Sequence, residues 1–376
     1  MAQAVLAAEA PRSPEHAGGA ARPRAAARAP QPEKGSGRTD FSDAAVLRLA
    51  MPPTVLVTAP TGRVGRAALA ILSKSGKFNV RAASRSEDAF EYLRSLGAHE
   101  CVKYDLKEPA TWAPATSGVT KVFSSSMDSL IQEHMDFAKF LGNQKTIDHV
   151  VRISCFGADT NTNQYDPSKH ASMEGNSIPL MLQHYWWSEQ CLITAGLPTT
   201  GIRGNFYMNH LLKNEVENIK NGFFQSPLGT CKNSFVSPCD QGEAAARCLI
   251  DGPERHANKF YDITGPEPQS MHEVAETLSD VLGRRVEYRE QDIVQFEKDF
   301  GPTRRAFFEY LRNGFYTRCS PDFYNLTGRR PATYREYLTQ EGPHGSTGLE
   351  ELFSAAGAIF TRGVDQFASL ASVRKA

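Results

Sequence analysis

The chain has 376 residues, with 42 Lys and Arg against 42 Asp and Glu, zero formal net charge and 40% hydrophobic residues. That balance argues against a general nucleic-acid binder, because neutralising phosphates takes an excess of Lys and Arg. No run of about 18 apolar residues marks a membrane span. The seven cysteines are scattered without a CxxC pair, which argues against a disulfide framework or zinc site and favours a reducing compartment.

Residues 1–50 form a distinct head. Fifteen are Ala, and Pro11, Pro14, Pro23, Pro30 and Pro32 interrupt any helix. Large apolar residues are too few to repay ordering, so the head reads as disordered. Arg12, Arg22, Arg24 and Arg28 among many Ala are similar to an organelle transit peptide, whereas Glu9, Glu15, Glu33 and scarce Ser fit an untargeted tail. Both readings stand, giving a cytoplasmic location or an organelle such as a plastid or mitochondrion.

From Pro53 the pattern changes. Thr54-Val55-Leu56-Val57-Thr58 is a short apolar run expected to be a buried parallel strand. A glycine-bearing turn and a helix from Arg66 follow. Further strands are expected at 78–83, 100–103, 119–124, 149–154 and 200–203, with helices near 87–96, 129–141 and 180–195. Strands alternating with helices predict an α/β, doubly wound parallel sheet of Rossmann type, with its cleft at the strand C-terminal ends. The last third predicts helices at 241–250 and 271–282, strands at 259–263 and 286–288, and an aromatic-rich helix at 296–316. These form a small C-terminal α/β substrate cap, drawn from about 205–235 and 265–338. Residues 339–376 read as a tail, and both terminal extensions offer material for a protein partner.

The strongest local signal is Ala59-Pro-Thr61-Gly62-Arg63-Val64-Gly65 between strand and helix. Glycines let backbone approach a pyrophosphate, and a helix N-terminus offers it unpaired N–H groups. An NAD site places Asp or Glu at the end of the second strand, for the ribose 2′-hydroxyl. Here Ser84-Arg85 stands there with no acid before Glu87. Arg85, and Arg63 within the turn, are suited to a 2′-phosphate, which points to NADP(H). Ser124 and Ser125, ending the fourth strand, complete the expected cofactor contacts.

With these residues in view, the sequence resembles the NmrA-like family of atypical short-chain dehydrogenases/reductases. The family's [GA]xxGxxG turn is met by Ala59, Gly62 and Gly65, with Ala59 replacing the usual first glycine. Tyr104-Asp105-Leu106 is similar to an element whose Asp lies near the adenine. The run from Ser188-Glu189 through Arg203-Gly204-Asn205-Phe206 to Asn209 resembles another family stretch, with Gly204 where Pro is frequent. The resemblance covers 53–338 and is closest to quinone oxidoreductase-like members. It implies hydride transfer from NADPH to a small conjugated electrophile such as a quinone or enone. The family also holds non-catalytic regulators that bind NADP(H), so a redox sensor with a protein partner is the alternative.

Carbonyl reduction needs a proton donor beside the hydride acceptor. Tyr165-Asp-Pro-Ser-Lys169, eleven residues after Ser154, reproduces the Tyr and Lys spacing with which short-chain dehydrogenases pair a Ser. Asp166-Pro167 instead reads as a helix start, which would leave Tyr165 in an incidental loop. Ser154, Tyr165 and Lys169 are therefore catalytic candidates with that alternative open. His184-Tyr185-Trp186-Trp187 either stacks a planar ring, with Tyr185 on the substrate, or packs a helix face. The resemblance implies Asn205 and Phe206 at the pocket rim. Cys155 is either a redox-sensitive thiol or a buried inert one. No metal site is expected.

Overall fold

A computed structural model describes residues 52–161, 180–210 and 212–353. The expected apolar runs become strands: β1 (Thr54–Thr58), β2 (Asn79–Ser84), β3 (Glu100–Lys103), β4 (Val119–Ser124), β5 (His149–Cys155) and β6 (Thr199–Gly204). The short β7 (Phe223–Ser226) leaves the main layer, and β8 (Phe260–Ile263) returns to it. The sheet order is β3-β2-β1-β4-β5-β6-β8, and every pairing is parallel. The fold is thus a doubly wound α/β sheet of Rossmann type. Chain direction across the sheet reverses between β1 and β4, and the crevice at such a switch point is where this architecture takes ligands.

The longer helices of the layers are α1 (Arg63–Lys74), α2 (Ile131–Gln144), α3 (Leu180–Thr194) and α4 (Pro238–Asp251). Alternation along the strands supplies both faces. Val55 and Val57 join Leu69, Leu72 and Ala245 on the α1/α4 side. Leu56, Val122 and Val150 join Phe137, Leu141 and Trp187 on the α2/α3 side. Gly242 of α4 is required by close packing, since a Cβ there would sit 2.6 Å from Val64 O of α1. That contact fixes the helix whose N-terminus faces the cleft.

A separate aromatic core builds the cap. Phe206, Phe224, Phe235, Phe307, Phe308 and Tyr334 pack together. Around them lie α5 (Met271–Leu282), β9 (Glu287–Glu290), which pairs parallel with β7, α6 (Ile293–Phe300), α7 (Pro302–Arg312) and α8 (Tyr334–Thr339). The single helix expected at 296–316 is two. Gly301 has φ +88° and Pro302 opens the next helix, so the chain turns there. The region expected as one helix at 87–96 starts as a 3-10 turn capped by Ser86 before Phe90–Ser95. Past Leu338 the described residues continue in contact with the cap through α9 (Gly348–Phe353), whose Leu352 enters the aromatic core.

Candidate functional site

The β1–α1 turn sits at the switch point. Ala59 has φ +49°, the left-handed region that glycine enters without strain, so it carries the first glycine's conformation as an alanine. Gly62 N–H donates to Ala59 O at 3.1 Å. Gly65 has no alternative, because a Cβ would lie 2.3 Å from Ala59 O. Gly62 caps α1 with extended backbone and no side-chain acceptor. The amides of the first helical turn, at Arg63, Val64 and Gly65, therefore face the crevice end without an intrahelical acceptor. Thr61 is half-buried beside them.

Thr58 ties this turn to the end of β4. Its Oγ1 accepts Ser125 N–H at 2.8 Å and donates to Ser125 O at 2.9 Å. Ser124 and Ser125 thus border the same crevice as the glycine turn, and Ser124 Oγ lies 3.3 Å from Arg152 Nη1. Arg85 is exposed just beyond β2, with no ion pair among the described residues. Asp105 is half-buried after β3, and its Oδ1 accepts Lys107 N–H at 2.9 Å. These residues could hold a dinucleotide: an uncapped helix end suits a pyrophosphate, and the Arg85 guanidinium, with no ion pair among the described residues, suits a further phosphate.

Arg63, expected with Arg85 at a 2′-phosphate, donates from Nε to Glu351 Oε2 of α9 at 2.8 Å. Arg66, one turn along α1, pairs with the other oxygen of the same carboxylate.

Ser154, next to last in β5, is buried, and its Oγ has no hydrogen-bond partner among the described residues. Tyr165 and Lys169 lie outside the described residues. Tyr185 is half-buried on α3, where burial and then the Asp128 charge raise its phenol well above the ordinary value, so it stays protonated. Its neighbour Trp187 packs into the sheet core. Cys155 lies 3.7 Å from Tyr316 Oη, and burial pushes its thiol up to about 12, so a thiolate is disfavoured.

Asn205 and Phe206 are not on an open rim. Asn205 is buried, donating to Tyr316 O at 3.1 Å and accepting Phe206 N–H at 2.6 Å. Phe206 stacks on His210 and meets Phe307 and Phe308 inside the cap. Both join the cap to β6 rather than line a mouth. Gly204, where Pro is frequent, is explained by Gln241, whose side chain would lie 2.6 Å from a Cβ there.

Buried ion pairs that sequence reasoning missed brace the crevice. Arg152 of β5 pairs with Asp128, and Ser188 Oγ of α3 donates to the same carboxylate oxygen at 3.0 Å. Arg203 of β6 holds Glu189 of α3 in a two-bond fork, at 3.0 and 2.8 Å. A charged residue inside an apolar strand run was the available signal, because a buried charge needs a partner. For Glu351 there was no signal. Among the described residues, no group of three or more His, Cys, Asp or Glu could hold a metal, and no helix is long and apolar enough to cross a membrane.

Comparison with known proteins agrees with this architecture. The NAD(P)H azoreductase of Xenophilus azovorans is 25% identical over 296 residues, covering 75% of this chain and 96% of the relative. The NADPH-dependent quinone oxidoreductase QOR2 of Escherichia coli superposes with a TM-score of 0.61 at 20% identity, covering 75% of this chain and 97% of that one. NmrA, a negative transcriptional regulator solved with NAD, gives 0.60 at 18% identity, covering 78% and 96%. The model of the NmrA-like family matches residues 51–307, and the chain belongs to that family.

Proposed function

We propose that the protein is an NADPH-dependent oxidoreductase that reduces a small conjugated electrophile such as a quinone or enone. The observation that carries this reading is the pairing of an uncapped α1 N-terminus behind Gly62 with an exposed Arg85 and no acid at the ribose position. Bound NADPH supplies the hydride; the chain supplies placement. Amides of Arg63, Val64 and Gly65 hold the pyrophosphate, and Arg85 holds the 2′-phosphate. Ser124, Ser125 and Asp105 border the nucleotide. Ser154 Oγ, buried and unpartnered among the described residues, is a donor for a substrate oxygen. The Tyr185 phenol, kept protonated by burial, is a second donor and an aromatic face for a planar ring. Reductase names among the relatives support the same chemistry.

A second reading, an NADP(H)-responsive regulator that contacts a protein partner, draws on Asn205 and Phe206 being sealed in the cap core rather than lining a pocket. Fluorescence titration with NADPH and NADH, then an NADPH-consumption screen over quinones, azo dyes and enones, separates the two. Turnover supports the enzyme. Tight NADPH binding without turnover on any acceptor supports the regulator, and no NADPH binding at millimolar concentration rejects both.

A further inference from the structure

The segment 341–353 lies beyond the family-matched residues 51–307, yet it is bound to the nucleotide end of α1. Lys74 Nζ, at the far end of that helix, donates to Pro343 O at 3.2 Å. Thr347 and Glu350 cap α9 reciprocally, at 2.8 and 3.0 Å. Leu352 anchors α9 in the cap core, and Gly348 packs so tightly on Tyr337 that a Cβ would meet it at 2.6 Å. This docking delivers one carboxylate. Glu351 accepts from Arg63 Nε at 2.8 Å, from Arg66, and from His344 Nε2 at 2.6 Å.

Side chains on a helix lean toward its N-terminus, and residues three apart share a face. Arg63 and Arg66 therefore gather two guanidinium groups beside the free amides that would take a pyrophosphate. Arg66 is nine-tenths buried, and its Nε has no partner among the described residues, so this cationic site is not saturated by Glu351. Asn209 Oδ1 and Tyr337 Oη, buried and also without partners among the described residues, belong to residues that line a cleft too narrow for a water molecule with Arg63 and Leu352. Polar atoms left unsatisfied beneath the segment are costly in this closed arrangement and are relieved when it lifts.

We propose that Glu351 is an internal competitor for the dinucleotide pyrophosphate: it seats the segment 341–353 on Arg63 and Arg66, and nucleotide binding displaces it. This rests on the cofactor reading above. The pyrophosphate is common to NADPH and NADH, so the competition acts on both equally, unlike the 2′-phosphate contact of Arg85. A segment closed nine times in ten weakens apparent affinity about tenfold.

The test uses the full chain. In the Glu351→Gln variant, NADPH and NADH should each bind about tenfold tighter, while Glu341→Gln, at an exposed position of the same segment, leaves both affinities unchanged. In the unsubstituted protein, amide hydrogen exchange across 341–353 should speed up on adding NADPH. Unchanged affinities in Glu351→Gln, or a segment equally or better protected with NADPH, overturn the competitor role while leaving the cofactor reading intact. Failure of every variant to bind either nucleotide overturns both.

Discussion

Glu189→Gln tests whether the brace between α3 and β6 is essential. The Arg203 and Glu189 side chains are 9% and 0% exposed, so the pair is desolvated. Removing one partner of such a pair costs roughly 3–5 kcal/mol, because the other charge stays buried. Here Arg203 keeps Asp159 at 3.2 Å and the Phe260 ring at 4.5 Å, so the lower end applies. A loss of about 3 kcal/mol should lower the melting midpoint by about 6 °C in a chain of this size. Urea unfolding followed by circular dichroism should show a lower midpoint with an unchanged slope. Tyr185 lies one turn before Glu189 on α3, so any turnover should fall in parallel. The apolar double variant Glu189→Leu with Arg203→Met should recover at least half of the loss, since replacing both charges avoids the orphan. A loss under about 1 kcal/mol in Glu189→Gln, the range of an exposed pair, would refute the reasoning.

Arg85→Ala should weaken NADPH binding roughly 10–100-fold, the worth of a charge-assisted hydrogen bond, and leave NADH within about twofold. Equal losses for both nucleotides, measured by fluorescence titration, would refute the 2′-phosphate assignment. Ala59→Gly should raise stability by about 0.5–1 kcal/mol by removing left-handed strain, net of the unfolded-state entropy of glycine; a lower urea midpoint would contradict this. Acid sensitivity should begin near pH 6.5. Burial lowers His134, His149 and His210 from 6.5 to about 3, with Arg152, Lys121 and Lys213 respectively as the next cause. Between those values the unfolded chain binds protons that the folded chain does not, so stability falls as pH falls, by up to about 1.4 kcal/mol per pH unit per histidine. Asp262, raised to about 6 mainly by burial, opposes one of the three below pH 6. A flat unfolding midpoint between pH 7 and pH 5 would refute this.

What could be read from the sequence was what is local. The strand, glycine turn and helix from Thr54 to Lys74 are specified within 21 consecutive residues, and Gly65 is dictated by the turn itself. Alternation of apolar runs was enough for the sheet, because burial on both faces leaves a strand no polar side. Asn205 and Phe206 show the limit. A polar residue followed by an aromatic after a strand suits a pocket rim or a cap hinge equally, and the choice is made by Tyr316, more than a hundred positions later. Arg152 and Arg203 announced that buried partners must exist, but the partners lie 24 and 14 positions away on other elements. Glu351 is the extreme case, 288 positions from Arg63 and in a segment whose composition signalled only a tail. The Rossmann frame is thus encoded by period and spacing, whereas the charges bordering its crevice are matched by tertiary contact. Among the described residues Arg85 has no ion pair at the end of β2, whereas Arg63 is paired because α9 reaches the start of α1. Two arginines that look interchangeable in the sequence are separated by what the fold brings to them.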